Sequence, residues 1–191
     1  MKEEDKAYIN ARYNRRIEAS GFSIEALASG TNERRKIRFQ TLLELGIKSG
    51  STVLDVGCGL GDFKKYLDEQ GLEVRYTGID INPNLISECC VRFPGATFLV
   101  ADVEEEIVDS FDFVVSSSSF NLKLIYDDNY RRMDSVIKAM FARAKQGVAI
   151  DMLSTWVDFQ GNPQEAFYYD PAVVFNLAKR ITKRVQLRHD Y

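Results

Sequence analysis

From residue 52 onward, short β-branched runs alternate with stretches of helical periodicity, and few architectures tolerate that alternation. Residues 51–56 form a buried-type strand run that ends in glycines. Residues 61–70 place Phe63, Tyr66 and Leu67 on one helical face, and Gly71 stops the helix. Residues 73–80 give a second strand. Asn82-Pro83 opens a helix over 82–92, a capping side chain followed by proline at the first helical position. Residues 96–101 and 111–117 are a third and fourth strand. The nine residues between them, 102–110, are short for a crossover helix and predict one turn or an irregular loop around Glu104-Glu105-Glu106. A long helix follows over about 127–145, then a strand over 146–153, a helix over 170–181 and a sixth strand over 184–189. Strands separated by helices imply α/β architecture, a mostly parallel sheet with helices on both faces. Residues 1–50 have helical periodicity and no strand signal, so they form a helical cap on the sheet or its binding edge, and 51–191 form the core of one structural domain.

Composition narrows the classes. Apolar residues at 45% and charged residues at 28% are globular values, which argues against disorder and membrane classes. The net charge of −3 supplies no global field for a polyanion, so a nucleic-acid partner is disfavoured. The charged start, MKEEDKAYINARYNRR, is no signal peptide, and no run approaches the roughly 18 apolar residues that span a bilayer. Cys58 lies between glycines and Cys89-Cys90 are adjacent, so no disulfide scaffold is legible, and one histidine cannot complete a usual zinc set. These features predict a reduced, cytoplasmic protein with no membrane segment; they leave its oligomeric state open.

The chemistry concentrates at strand ends. Asp55-Val56-Gly57-Cys58-Gly59-Leu60-Gly61 joins the first strand to the first core helix, where glycines permit a tight turn and free helix N–H groups face a ligand. Asp80, nineteen positions after Gly61, ends the second strand, where a carboxylate can accept both hydroxyls of a ribose. Asp102 follows the third strand, placed to receive an adenine amino group. Dinucleotide sites use G-x-G-x-x-G. Here the third glycine comes one position early, and Asp55 beside the loop suits a cationic ligand tail and repels a pyrophosphate. A nicotinamide-dependent oxidoreductase is therefore disfavoured.

This pattern resembles motif I of the class I S-adenosylmethionine-dependent methyltransferases. Ile79-Asp80-Ile81-Asn82-Pro83 resembles their second motif, Ala101-Asp102-Val103 their adenine motif, and Phe111-Asp112-Phe113-Val114-Val115 their fourth strand, over about residues 37–155. The resemblance implies a three-layer Rossmann-like methyltransferase fold with S-adenosyl-L-methionine as cofactor and S-adenosyl-L-homocysteine as product. It implies that Gly57, Cys58, Gly59 and Gly61 line the methionine tail and that Asp55 orients the loop or the amino group. Asp80 would hold the ribose, Ile81 would pack on the adenine, Asp102 and Val103 would read its edge, and Ser116 and Ser117 would sit near the methionyl group. The family sheet has seven strands, whereas this sequence stops after the sixth, so the last strand is absent or the sheet closes differently.

The expected activity is in-line methyl transfer to a small-molecule acceptor; the alternative is a catalytically silent regulatory module that binds the cofactor. The segment Ser116 to Asn121 lacks the Asn/Asp-Pro-Pro-aromatic motif of base-modifying enzymes, and Asn121 becomes an acceptor-side candidate. Trp156, Tyr168 and Tyr169 either wall a planar acceptor or cover the core. Arg34-Arg35-Lys36-Arg38 is either a solvated helix face or, through Arg35 and Arg38, a site for a carboxylate of cofactor or acceptor. His189, the sole histidine, is either a satisfied strand-end residue or the general base. Asp127-Asp128-Asn129 caps a helix, and serines stand where metal-dependent relatives carry a carboxylate, so no metal is expected.

Overall fold

The computed structural model describes residues 1–27, 30–104, 109–158, 160–162 and 164–191. Three helices come first: α1 (Glu3–Ser20), α2 (Ile24–Leu27) and α3 (Asn32–Leu43). The sheet then begins with β1 (Thr52–Val56), followed by α4 (Asp62–Glu69), β2 (Arg75–Asp80), α5 (Pro83–Arg92) and β3 (Thr97–Val100). The second half comprises β4 (Phe111–Ser117), α6 (Asn129–Arg143), β5 (Ala144–Asp151) and α7 (Pro171–Ile181). Five parallel strands stand in the order β3-β2-β1-β4-β5. The chain runs outward from β1 to β3, then returns to place β4 on the other side of β1. That reversal opens a crevice at the carboxyl ends of β1 and β4, the usual ligand position in such sheets.

Alternation along β1 divides the core. Leu54 and Val56 face one side, packed with Val114, Met133, Val136, Met140 and Tyr169 beneath α6. Val53 faces the other, with Phe39, Phe63, Leu67, Tyr76, Cys89 and Phe113 beneath α3, α4 and α5. Sequence patterning and structure agree because a strand covered on both faces must be apolar at every position. Helix starts follow their capping chemistry. Asn82 accepts from the Asn84 and Leu85 amides, Asp128 from Arg131, and Asp170 from Ala172.

Two expectations change. The helix expected to run to 145 ends at Arg143, and β5 starts at once because Ala144 turns to extended geometry (ψ 126°). Residues 184–189, expected as a sixth strand, form no ladder. A turn closed by Thr182 Oγ1 accepting from the Arg184 amide leads out of α7, and side chains then hold the segment: Arg188 pairs with Glu44 and Asp190, and His189 meets Ser154. Val185 and Arg188 are half-buried whereas Leu187 and His189 are exposed, so burial does not follow the alternation of Val185, Leu187 and His189, and among the described residues the segment has no backbone pairing. The acidic stretch expected to form a turn or loop begins with a turn at 103–104; residues 105–108 lie outside the described residues.

Candidate active site

Beyond β1 the chain must reverse over the end of β2. The Gly57 and Cys58 amides both donate to the Ile79 carbonyl, at 2.8 and 3.0 Å, which fastens the loop to the neighbouring strand. Gly57 has φ +72°, and a Cβ built there would lie 2.1 Å from Ser119 Oγ, so the position admits no side chain without movement of the loop after β4. Gly61, also in the left-handed region, passes against the Phe93 ring with no room for a Cβ.

Asp80 anchors the centre of the loop. Its Oδ2 accepts from the Gly59 amide at 3.0 Å and its Oδ1 from the Asn82 amide at 2.9 Å. These amides fix the carboxylate at the head of the loop, facing the crevice. Burial raises the Asp80 pKa, and the amides oppose that rise. Asp55, wholly enclosed, accepts a 2.5 Å hydrogen bond from the Tyr76 hydroxyl. Burial lifts its pKa to about 7; the Tyr76 bond works against this, while the charges of Asp80, Asp151 and Asp62 reinforce it.

The crevice is a cavity lined by Asp55, Gly57, Cys58, Gly59, Asp80, Ile81, Asp102, Val103 and Ser117, with α1 and α3 contributing Ile9, Tyr13, Arg35, Arg38 and Phe39. Most residues read as cofactor ligands thus converge on one space. Ser116 and Gly61 do not line it. The Ser116 hydroxyl donates to the Val56 carbonyl at 2.7 Å, so this side chain joins strands. Asp102 is heavily engaged: Arg132 Nη2 donates to both carboxylate oxygens at 2.9 and 3.0 Å, and the Met1 nitrogen stands 3.4 Å from Oδ2.

α1 is strapped over the carboxyl edge. Asn10 Nδ2 donates to the Ile81 carbonyl, Asn14 Oδ1 accepts from Asn82 and Asn84, and buried Asp5 accepts from the Ile125 and Tyr126 amides. Arg12 pairs with Glu165. On α3, exposed Arg34 and Lys36 are the solvated face, whereas Arg35 and Arg38 turn inward, Arg35 to Asp62 and Arg38 to Asp151 at 3.6 Å.

The acceptor-side candidates separate. Tyr169 lines the cavity, its hydroxyl on the Phe120 carbonyl and its pKa raised to about 12 by burial. Asn121, Trp156, Tyr168 and His189 are not among the lining residues. Asn121 Oδ1 accepts from the Leu153 amide and ties two loops together, and the Tyr168 hydroxyl accepts from Gly161. Trp156 is 54% exposed and packs near the exposed His189 ring, whose Nε2 lies 2.7 Å from Ser154 Oγ. The imidazole does not line the cavity, because its segment is held at the surface by Ser154 and by the Arg188 pairs with Glu44 and Asp190.

Three contributors were missed in the sequence reading. Asp151 ends β5 and holds Ser118, which adopts φ +60°, through the Ser118 amide and hydroxyl, both at 3.1 Å. An acid at a strand end was the available signal, as at Asp80. Tyr13 needs the position of α1, and Arg132 needs the packing of α6; neither leaves a local pattern. Among the described residues no group of His, Cys, Asp or Glu is placed to hold a metal, and no helix is long and apolar enough to cross a membrane.

A parallel sheet in this order, with a glycine loop after β1 and acids closing the next strands, defines the Rossmann-like methyltransferase fold. The methyltransferase domain family matches residues 53–150. A methyltransferase-named protein of Mycobacterium tuberculosis is 32% identical over 146 residues, 73% of this chain and 86% of that protein. The malonyl-[acyl-carrier protein] O-methyltransferase of Acetivibrio thermocellus is 38% identical over 82 residues, 41% of this chain and 29% of that enzyme. Magnesium protoporphyrin IX methyltransferase from Synechocystis, crystallised with its methyl donor, superposes with a TM-score of 0.67 over 92% of this chain and 85% of that one, at 15% identity. The chain belongs to the methyltransferase domain family, the class of S-adenosylmethionine-dependent enzymes that its glycine loop resembles.

Proposed function

We propose that the chain transfers the methyl group of S-adenosyl-L-methionine to a small anionic acceptor bound beneath α1 and α3. The observation that carries this reading is the roof: Tyr13, Arg35, Arg38 and Phe39 line the same cavity as Asp80 and the glycine loop. A crevice partly roofed by two helices suits a small molecule better than a polymer.

The residues fit the cofactor. Asp80 presents an amide-braced carboxylate to the cavity, suited to accept from ribose hydroxyls, and Gly57 and Gly59 bring bare backbone to the cavity wall. Asp55 meets the cationic tail, and Ile81 and Val103 cover the base. When bound, the cofactor supplies a methyl group already activated on a sulfonium. The chain's task is then to hold an acceptor atom in line at about 3–3.5 Å and to keep water away. Arg38, beside Asp151 and Ser118 at the ends of β4 and β5, is the group assigned to an acceptor carboxylate. Arg35, paired with Asp62 beside the glycine loop, is assigned to the methionine carboxylate. The malonyl-group methyltransferase among the relatives supports an acidic acceptor.

The test is transfer of labelled methyl to a panel of small carboxylic acids, amines and phenols. Labelling of carboxylates that is abolished in Arg38→Gln, with S-adenosyl-L-homocysteine affinity kept within about threefold, supports the assignment. Labelling confined to amines or phenols contradicts it.

A further inference from the structure

Asp55 stands on an apolar face of the sheet. Strand alternation puts it on the same side of β1 as Val53, and that side is packed with Phe39, Phe63, Leu67 and Phe113. A carboxylate buried there needs a donor. The residue opposite Asp55 on β2 is Gly78, which has no side chain to offer. Tyr76, paired with Val53 on the same face, reaches diagonally along the sheet instead, and its hydroxyl donates to Asp55 Oδ2 at 2.5 Å. The Tyr76 ring rests against Phe98, with centroids 5.7 Å apart, and the residue is buried. Burial, with the charge of Asp55, pushes the Tyr76 phenol well above its ordinary range, so it keeps its proton and stays the donor. Other titratable and charged groups face this pair. Asp80 ends β2, Asp62 opens α4 and Asp151 ends β5, and each adds negative charge at Asp55. Arg35 and Arg38 of α3 pair with Asp62 and Asp151, and the Cys58 and Cys89 thiols act on the phenol.

We infer that Tyr76 is a positioning residue for the cofactor tail: by bonding Asp55 it keeps that carboxylate ionised and oriented, and so sets the pH below which the site stops accepting an ammonium group. The inference rests on the cofactor reading proposed above, in which Asp55 meets the cationic tail. Asp55 lines the cavity, so its protonation is felt there directly. Its carboxyl titrates at about 7, because burial and the three neighbouring acids favour the protonated form while the Tyr76 bond opposes them. A bound ammonium favours the ionised form, so binding of the tail expels the proton. Affinity for a ligand that carries the tail therefore rises with pH up to about 7 and levels off above it. Loss of the Tyr76 hydroxyl removes a donor that stabilises the charged form, so the levelling point moves to higher pH. The ring itself does not supply this effect, because phenylalanine would pack against Phe98 in the same way.

The experiment is calorimetric titration of the full chain from pH 5.5 to pH 8 with two ligands. S-adenosyl-L-homocysteine carries the amino-acid tail; 5′-methylthioadenosine lacks it. The unmodified chain should bind the tailed ligand about twentyfold more tightly at pH 7.5 than at pH 5.5, while its affinity for 5′-methylthioadenosine stays within about twofold. Tyr76→Phe should move the tailed-ligand profile up by about one pH unit, a loss of about eightfold at pH 6.5 and only about twofold at pH 8. Affinity for 5′-methylthioadenosine should not follow. Asp55→Asn should bind the tailed ligand weakly and without that slope. If Tyr76→Phe weakens both ligands equally, or weakens the tailed one by the same factor at every pH, Tyr76 only packs the sheet and the inference is overturned. A flat profile in the unmodified chain overturns it as well. Should the Phe variant not fold, 3-fluorotyrosine at position 76, a stronger donor of nearly the same size, should move the profile to lower pH; an unmoved profile overturns the inference. Failure of the unmodified chain to bind either ligand at pH 8 is a different result, because it removes the cofactor reading itself.

Discussion

The two halves of the cavity are built by different means. On the side assigned to the cofactor, backbone amides do the positioning: Gly57 and Cys58 bond Ile79, and Gly59 and Asn82 bond Asp80, all within about 25 residues of sequence. On the side assigned to the acceptor, side chains drawn from distant segments are gathered by packing: Arg38 from α3, Ser118 after β4, held by Asp151 of β5, and Tyr169 before α7. A local backbone turn permits few residue types, so it leaves a motif. A gathered wall permits many, so it does not.

The sharpest way to break this division is at Gly57, where the halves touch. Gly57→Ala adds a Cβ 2.1 Å from Ser119 Oγ at a left-handed φ and should cost about 2–3 kcal/mol, with loss of S-adenosyl-L-homocysteine binding. Adding Ser119→Gly should restore part of the stability, because it removes the clash but not the strain. Denaturant titration of both variants checks this; no recovery in the double variant would mean that the two loops are independent.

Asp55 comes next. Its carboxyl titrates near 7 in the folded chain and near 4 when unfolded, so between those values the native state holds a proton that the unfolded state has lost. Stability contributed this way is present at low pH and falls as pH rises from about 4 to 7. Asp55→Asn should therefore stabilise the ligand-free chain by about 2 kcal/mol at pH 8, several degrees in melting temperature, and by much less at pH 5. The same change should weaken cofactor binding. Melting curves at the two pH values decide it, and equal shifts at both would contradict the assigned cause.

Asn121→Ala tests the acceptor side as a structural tie. Loss of the bond to the Leu153 amide should cost about 1–1.5 kcal/mol and leave S-adenosyl-L-homocysteine affinity within about twofold. A large loss of affinity would place Asn121 in the site. The smallest effect belongs to Trp156→Ala and His189→Ala, which should change melting temperature by about 1 °C or less and leave cofactor affinity unaltered, as for exposed residues generally.

The same contrast explains what could be read from the sequence. Strand and helix order, the glycine loop and the acids at 55, 80 and 102 were legible, since each follows from a local rule of pleating, capping or turn geometry. Asp151 obeys the strand-end rule and could have been read. Arg132 and Tyr13 could not, because their roles arise only when α6 and α1 are docked. His189 misled for the opposite reason. Its side-chain chemistry suits a base, but its segment forms no ladder with the sheet and instead runs along the surface to Ser154. The alternation that suggested a strand at 184–189 is not matched by burial, since Leu187 and His189 are both exposed, and periodicity by itself does not distinguish a surface segment from a paired strand.

The central claim is that Asp80 and the glycine loop hold the ribose and tail of S-adenosyl-L-methionine. Its most direct test is titration of the unmodified chain and of Asp80→Ala with S-adenosyl-L-homocysteine. The account predicts one-to-one binding by the unmodified chain and a loss of about a hundredfold in the variant, as two hydrogen bonds to a charged acceptor imply. No binding by the unmodified chain, or equal affinity in both, would contradict it.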